Sequence, residues 1–265
     1  MRMGMLALVI AVKARHPATM ATEIAFVAGA TGLSGRHIVL HLVQRGSIAV
    51  AHVRPDSPRL TEWRDRFSSM GAIVDTSRWD LDAITQTIME RKPTLMFACL
   101  GTTRARAKDA ARKGHDPSRE TYDAVDVEMT EMLIAAARSA GSLSRFVYLS
   151  SIGAGPHARG SYLRARARVE QALIESGLPY TIVRPSFIVG DRDEPRHEEK
   201  ITAPVVDTAL SLLGMLGGAT IRDRYRSISG DMLADTMVSL ALDPAWKNRI
   251  AQGEDLWRMS RHRSV

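Results

Sequence analysis

A serine pair and a tyrosine followed four residues later by an arginine are the side chains of this sequence best suited to moving a proton. Ser150 and Ser151 follow an apolar run, and Tyr162 and Arg166 lie on one face of a predicted helix. A nearby cation lowers the pKa of a phenol, and a serine hydroxyl can hold a carbonyl oxygen. This equipment suits proton donation during hydride transfer. A packing role for the ring and a solvated basic face are the alternatives.

A glycine-rich stretch near the start of the chain predicts where a hydride carrier binds. An apolar run at 24–28 precedes three glycines, and apolar residues recur at helical spacing after them. Gly29 permits a tight turn, Gly32 lets the backbone approach a pyrophosphate, and Gly35 lets helix pack closely on strand. The order strand, turn, helix therefore predicts a nicotinamide dinucleotide site. Further candidate contacts in the turn are Thr31, Leu33 and Ser34.

The end of the second predicted strand, 48–53, favours NADP(H) over NAD(H). A site for NAD usually carries an acid about 20 residues after the turn, where it binds the ribose hydroxyls. Arg54 stands there instead, and its guanidinium would pair with a 2′-phosphate, with Arg59 nearby to assist. Asp56 also lies close, so a solvated arginine is the alternative. NADP(H) is the expected cofactor, and NAD(H) remains possible.

The rest of the chain alternates between strand and helix patterns. This succession implies right-handed crossovers and an α/β fold, a doubly wound parallel sheet with a small C-terminal substrate-side region. Asp80 and Leu81 would lie at the adenine side, where Asp80 serves as adenine contact, helix N-cap or both. The predicted strands are 72–79, 94–100, 145–149 and 180–184, and the predicted helices are 82–91, 122–140, 162–176 and 232–242.

Length and composition indicate one enzyme-sized domain of an ordinary globular protein of 265 residues. We expect a disordered or over-long prefix at 1–19, a dinucleotide-binding domain at 20–190, and a substrate or partner region at 191–265 packed on the same domain. The apolar run at 5–12 is too short to span a bilayer and lacks a convincing cleavage site. An export signal is the alternative.

The net charge of +7 does not require a nucleic-acid partner. Part of it lies in the prefix, and the basic segment at 104–113 lacks interleaved aromatic residues. We expect a small-molecule substrate or a protein partner, with peripheral membrane contact through the apolar stretch at 201–218 as an alternative. The lone Cys99 lies in an apolar run, which predicts a packed thiol, and the sequence predicts no metal site. A reducing cytoplasm fits this cysteine usage.

Several motifs resemble those of one superfamily. The glycine spacing, the serine pair and the Tyr-x-x-x-basic spacing resemble the short-chain dehydrogenase/reductase superfamily, of the atypical or extended kind. The runs at 99–104 and 149–154 are similar, more narrowly, to the Tat-interacting-protein-like oxidoreductases. The resemblance covers roughly residues 22–195.

The resemblance implies a Rossmann fold and a role for individual residues. Ser151 and Tyr162 would be catalytic together with Arg166, which stands where the superfamily has lysine. Because a guanidinium is planar and bulkier than an ammonium, that exchange is not conservative. The glycines would bind the pyrophosphate. The other implied cofactor contacts are Arg54 at the 2′-phosphate, Asp80 and Leu81 at adenine, Leu100, Gly101 and Thr102 at the ribose, and Pro185 near nicotinamide.

These inferences leave two functions from different classes. The first is an NADP(H)-dependent oxidoreductase acting on a carbonyl or alcohol, which Ser151 and Tyr162 favour. The second is a non-catalytic NADP(H)-binding regulatory or scaffold protein, which Arg166 favours. Sugar-nucleotide epimerisation would need a larger substrate region than residues 191–265 offer.

Overall fold

The fold is built on a parallel sheet, and two of its strands lead directly into the glycine turn and the serine pair of the predicted site. The computed structural model describes residues 22–102, 121–141, 143–190 and 227–261, together with 111, 112, 114, 116 and 118. Within these residues seven strands form one parallel sheet in the order β3-β2-β1-β4-β5-β6-β9, which confirms the predicted fold class. They are β1 (Ile24–Ala28), β2 (Ile48–His52), β3 (Ile73–Asp75), β4 (Leu95–Ala98), β5 (Arg145–Leu149), β6 (Tyr180–Arg184) and β9 (Arg249–Gln252). A separate parallel pair joins β7 (Ile188–Val189) to β8 (Ile228–Ser229).

Helices cover both faces of the sheet, as the apolar character of its central strands requires. The helices of the described residues are α1 (Leu33–Gln44), α2 (Leu60–Ser69), α3 (Leu81–Arg91), a π-helix (Tyr122–Glu128), α4 (Met129–Ala140), α5 (Ser161–Glu175), α6 (Gly230–Leu242), a 3₁₀ turn (Pro244–Trp246) and α7 (Glu254–Arg261). One hydrophobic core packs α1, α2, α6 and α7 against one face of the sheet, and a second core packs α3, α4 and α5 against the other face.

The strand order reverses between β1 and β4, which defines the position of the site. To one side of this point the sheet continues through β2 and β3, and to the other through β5 and β6. Connections that leave in opposite directions open a crevice at the carboxyl ends of these strands, where ligands of doubly wound sheets bind.

Three predicted elements differ from those observed. The third strand is limited to Ile73–Asp75, because the Asp75 carboxylate accepts a hydrogen bond from the hydroxyl of Ser77 at 2.7 Å and turns the chain out of the sheet. The helix predicted at 122–140 is a π-helix followed by α4. The strand predicted at 94–100 pairs over Leu95–Ala98, whereas those predicted at 145–149 and 180–184 are confirmed.

The C-terminal part of the described chain completes this domain. Helix α6 packs along α1, where His41 Nε2 lies 2.9 Å from Asp231 Oδ1 and Arg45 pairs with Asp235. The division predicted at residue 190 stays a prediction, although β9 pairs with β6 in the central sheet. In the ranges that the structure describes, no helix is long and apolar enough to cross a membrane. The prefix 1–19, the stretch 201–218 and all of the basic segment except Ala111 and Arg112 lie outside the described residues.

Candidate functional site

Two of the three glycines in the turn between β1 and α1 make backbone contacts that leave no room for a side chain. Gly29 has a φ of +78°, and a Cβ there would lie 2.5 Å from the carbonyl oxygen of Cys99 at the end of β4. A Cβ on Gly35 would lie 2.1 Å from the carbonyl oxygen of Gly29. At Gly32 the nearest atom would be 3.2 Å away, so Gly32 faces more open space. Gly29 and Gly35 thus build the turn, and Gly32 leaves its outer surface open.

The N-terminus of α1 fits the pyrophosphate of a dinucleotide. Gly32 is the N-cap, and no side chain hydrogen-bonds to the first turn as a cap. The amides of Leu33, Ser34 and Gly35 precede the first intrahelical bond, which Arg36 makes to Gly32. Free N–H groups at the positive end of a helix dipole are an anion site, and the adjacent surface at Gly32 lets phosphate oxygens reach them.

Leu33 links this turn to the C-terminal elements. A Cβ on Gly230, at the start of α6, would lie 2.7 Å from Leu33 Cγ, and one on Gly190 would lie 3.3 Å from a Leu33 methyl group. The Leu33 side chain is therefore packed between the end of β7 and the start of α6. The predicted contact of Leu33 with the cofactor stays a prediction. Because the side chain is packed, the backbone of Leu33 is better placed for such a contact than the side chain.

Arg54 follows the carboxyl end of β2 and lies outside the core. Its side chain is 44% exposed, and its Nε atom lies 3.8 Å from Asp56 Oδ1, a loose pairing that both partners make in solvent. Arg59 instead donates from Nε to Glu62 at 2.7 Å and lies over the ring of Trp63. Assistance from Arg59 would require that pair to open, so Arg54 is the better candidate for a phosphate.

A buried histidine that sequence reasoning missed, His52, lies beside Trp79, the residue that precedes the predicted adenine contacts. His52 Nδ1 lies 2.7 Å from Asp75 Oδ2, and its ring packs 4.7 Å from that of Trp79. Burial alone would raise the pKa of Asp75, but hydrogen bonds from His52 and Ser77 outweigh it and hold the pKa below its ordinary value. Asp80 caps α3 by accepting from the Ala83 amide at 2.9 Å, so the N-cap alternative is observed.

Arg166 is a buried hub of the site, with 5% of its surface exposed. Its Nη1 atom donates to the carbonyl oxygen of Leu149 at 2.8 Å, and Nη2 donates to that of Leu100 at 3.1 Å. A Cβ on Gly101 would lie 2.7 Å from Nη2, so the glycine lets the guanidinium come close. Arg166 therefore fastens α5 to the ends of β4 and β5, and the predicted ribose segment lies directly against it.

Asp126 provides the counter-charge from the π-helix. It is fully buried, and its Oδ1 lies 2.8 Å from Arg166 Nη2 while its Oδ2 accepts from the Thr102 amide at 3.0 Å. Burial alone would lower the pKa of Arg166, but Tyr148, Tyr162 and Asp126 raise it above its ordinary value. The guanidinium therefore stays charged, and its charge orders the main chain at 100–102.

The candidate proton donor, Tyr162, lies next to the buried pair of Arg166 and Asp126. Tyr162, in the first turn of α5, is partly exposed, and the guanidinium carbon of Arg166 lies 5.2 Å from its ring centre. Tyr122 from the π-helix packs against the same ring at 5.3 Å. Tyr122 and Asp126, four residues apart, thus face Tyr162 and Arg166, also four apart. The matching intervals were visible in the sequence, but the π-helix that aligns them was not predicted.

The serine pair divides between the site and the core. Ser150 is buried and donates to Glu170 Oε1 at 2.5 Å, whereas Ser151 is partly exposed and its hydroxyl makes a long 3.4 Å contact with the Ile152 carbonyl. Among the described residues no hydrogen bond joins Ser151 to Tyr162. Pro185 follows β6, and its carbonyl accepts from the Ile152 amide at 2.8 Å. The structure thus brings Tyr162 and Arg166 into contact. Ser151 lies just after β5, the strand whose last residue, Leu149, accepts a hydrogen bond from Arg166.

The thiol of Cys99 has the properties of a packed side chain. Burial raises the pKa of the Cys99 thiol to about 12, so the thiol stays protonated and is a poor nucleophile. Within the part of the chain that the structure describes, no group of three or more His, Cys, Asp or Glu side chains could hold a metal ion.

Comparison with known proteins identifies the kind of site. The sequence model of a family described as NAD(P)H-binding matches residues 29–244. The mitochondrial protein Fmp52 of Aspergillus clavatus is 29% identical over 236 residues, which cover 86% of this chain and 91% of the relative. The expectation of a cytoplasmic location is wrong, since this relative and that of Debaryomyces hansenii are named mitochondrial.

Solved structures share the fold. UDP-glucose 4-epimerase of Thermotoga maritima superposes with a TM-score of 0.59 at 18% identity, covering 90% of this chain and 82% of that protein. The enzyme WbmH of Bordetella bronchiseptica, solved with NAD⁺, gives a TM-score of 0.57 at 17% identity, with coverages of 87% and 75%. Identities this low show a common fold alone.

Substitutions of two glycines should separate folding from binding. We expect Gly35→Ala to lower the free energy of unfolding by about 1–3 kcal/mol, because the new Cβ overlaps the Gly29 carbonyl. Gly32→Ala should stay folded but weaken NADPH binding about tenfold or more, because its Cβ occupies the path of the pyrophosphate. Urea unfolding and fluorescence titration measure the two effects. Undiminished NADPH affinity in Gly32→Ala would refute the phosphate assignment.

Arg166→Lys tests the hub against a matched surface arginine. One ammonium cannot reproduce the bonds to Leu100, Leu149 and Asp126, so the free energy of unfolding should fall by about 2 kcal/mol or more. Arg168→Lys on the same helix should change it by less than about 0.5 kcal/mol, because Arg168 pairs with Glu131 in solvent. Equal stability of the two variants in urea would show that Arg166 is not a hub.

Proposed function

The chain belongs to the NAD(P)H-binding family, of the atypical short-chain dehydrogenase/reductase kind, and we propose that it is an NADP(H)-dependent oxidoreductase acting on a carbonyl or alcohol. The observation that carries this proposal is the placement of Tyr162, a partly exposed phenol held over a buried cation beside the strand ends. Such a phenol is a general acid or base within reach of a ligand in the crevice.

The buried charges hold the phenol in place for this reaction. Arg166 lies under the ring of Tyr162, and Tyr122 packs against the side of that ring. Because Arg166 is itself fixed by Leu100 and Leu149, the phenol has a defined position relative to the ends of β4 and β5. Preorganisation of this kind lowers the barrier to proton transfer.

Two hydroxyl groups of this chain act on the substrate oxygen in the proposed reaction. When bound, the cofactor supplies a hydride to the carbonyl carbon of the substrate. Ser151 Oγ donates a hydrogen bond to the carbonyl oxygen and orients it, and Tyr162 gives that oxygen its phenolic proton, which yields the alcohol. The Tyr162 phenolate then regains a proton from solvent. In the reverse direction Tyr162 removes the proton from the alcohol.

The proposed preference for NADP(H) rests on Arg54. Its side chain is 44% exposed at the carboxyl end of β2 and is loosely paired with Asp56. A phosphate dianion would compete successfully for that guanidinium, because charge-assisted bidentate bonds to phosphate are strong. This proposal also includes the assignments of Asp80 and Leu81 to adenine, of 100–102 to the ribose and of Pro185 to nicotinamide.

A second function is an NADP(H)-binding regulatory protein without turnover. It is favoured by the commitment of Arg166 to two carbonyl groups and Asp126, where a lysine would retain a mobile ammonium. The lack of a hydrogen bond between Ser151 and Tyr162 in the described residues points the same way. Binding of NADPH without oxidation by any aldehyde, ketone or quinone would favour this second function.

Tyr162→Phe tests the proposed chemistry. The variant keeps the ring and its contacts with Tyr122 and Arg166 but lacks the transferable proton, so NADPH should still bind while kcat falls by about a hundredfold or more. Tyr180→Phe, at the amino end of β6, is the matched control and should keep full turnover. Stopped-flow oxidation of NADPH against a carbonyl panel measures both. Full activity in Tyr162→Phe would exclude it as proton donor.

Arg54→Asp tests the choice of cofactor. It replaces a phosphate-pairing cation with an anion, so the dissociation constant of NADPH should rise about a hundredfold while that of NADH changes little. The same charge reversal in Arg91→Asp, in the last turn of α3, should affect neither cofactor. Isothermal titration calorimetry gives all four values. Equal losses for NADPH and NADH in Arg54→Asp would show that Arg54 does not discriminate.

A further inference from the structure

A buried carboxylate, that of Glu170, lies one helical turn beyond Arg166 and has no role in the chemistry described above. Glu170 is 3% exposed. Its Oε1 atom accepts from Ser150 Oγ at 2.5 Å and from Arg184 Nε at 2.8 Å, and its Oε2 accepts from Arg184 Nη2 at 2.5 Å. The hydrogen bond to Glu170 raises the pKa of Arg184. One carboxylate therefore joins α5 to the ends of β5 and β6.

The two side chains that Glu170 holds each precede a residue of the candidate site. Ser150 precedes Ser151, and Arg184 precedes Pro185. The amide that follows Ser151 donates to the carbonyl oxygen of Pro185 at 2.8 Å, so the two strand ends are also joined to each other. A shift of the Glu170 carboxylate would move both strand ends relative to α5.

Three functional groups occupy successive turns of α5, because Tyr162, Arg166 and Glu170 follow at intervals of four. The guanidinium binds the ends of β4 and β5, and the carboxylate binds the ends of β5 and β6. These opposite charges fix both the rotation of α5 and its height above the strand ends. The position of the Tyr162 phenol relative to Ser151 then follows from the two contacts together.

We propose that Glu170 is a positioning residue for hydride transfer, which sets the distance between Ser151 and Tyr162 without touching the substrate. The inference rests on the proposed oxidoreductase function. Displacement of reacting groups by about 1 Å lowers rates by about a hundredfold, so a residue that acts only through position can have a large effect on turnover.

Glu170→Gln tests this role, since the amide keeps the size but loses the charge and one acceptor. We expect kcat to fall by about tenfold or more while the NADPH dissociation constant stays within about twofold. Ser150→Ala should lower kcat in the same way, and the double variant should be no worse than the worse single one, because both act through one contact. The matched control Glu131→Gln, which affects a pair with Arg168 in solvent, should keep kcat unchanged.

Hydrogen exchange gives a measure that does not depend on turnover. Amides at 150–155 should exchange faster in Glu170→Gln and in Ser150→Ala, while those of the glycine turn at 29–36 keep their rates. Either an unchanged kcat or an unchanged exchange rate at 150–155 in folded Glu170→Gln overturns the proposal. If Glu170→Gln does not fold, Ser150→Ala decides by the same two measurements. If the native protein reduces no carbonyl compound, the oxidoreductase function fails, and exchange alone decides whether Glu170 positions this loop.

Discussion

The guanidinium of Arg166 imposes the constraint on which the geometry of the site depends. A buried cation must find partners for its charge and its N–H groups, because an uncompensated one would cost several kcal/mol. Here the Nη groups find Asp126, the Tyr148 hydroxyl and the carbonyl oxygens of Leu100 and Leu149, whereas the buried Nε has no hydrogen-bond partner among the described residues. These contacts of one side chain fix the spacing of two strands, a helix and the π-helix. The hydrogen bonds that the pair makes to the main chain of Leu100, Thr102 and Leu149 offset part of the cost of desolvating it.

The phosphate side depends on a different constraint, the close approach of backbone to backbone. Gly29 brings the turn against the carbonyl of Cys99, so the end of β4 contacts the start of the dinucleotide turn. Leu100 follows immediately and accepts from Arg166. The two halves of the site, one built from glycines and the other from buried charge, thus share the short segment after β4. Both halves therefore depend on the position of this segment.

Local pattern accounts for what the sequence predicted well. The strands at 145–149 and 180–184 and the glycine turn follow from apolar runs and turn chemistry, which depend on neighbouring residues alone. The π-helix could not be predicted, since residues 122–140 carry the periodicity of an ordinary helix, and its winding is fixed by contact of Tyr122 and Asp126 with α5. The burial of Arg166 was equally hidden, because an arginine in a basic stretch is usually solvated. Pairings between distant residues decide both.

The parallel order of the sheet has a consequence for how the protein matures. Strand β1 lies inside the sheet, between β2 and β4, yet the Ile24 amide bonds to the Thr94 hydroxyl, 70 residues further along the chain, and Arg166 reaches back 66 residues to Leu100. Neither half of the site exists until those long loops have closed, which is slow for non-local pairings. We therefore expect a partly synthesised or partly folded chain to bind dinucleotide more weakly than the finished fold. A nucleotide that binds only the finished fold stabilises it, so its availability would bias the chain toward complete folding.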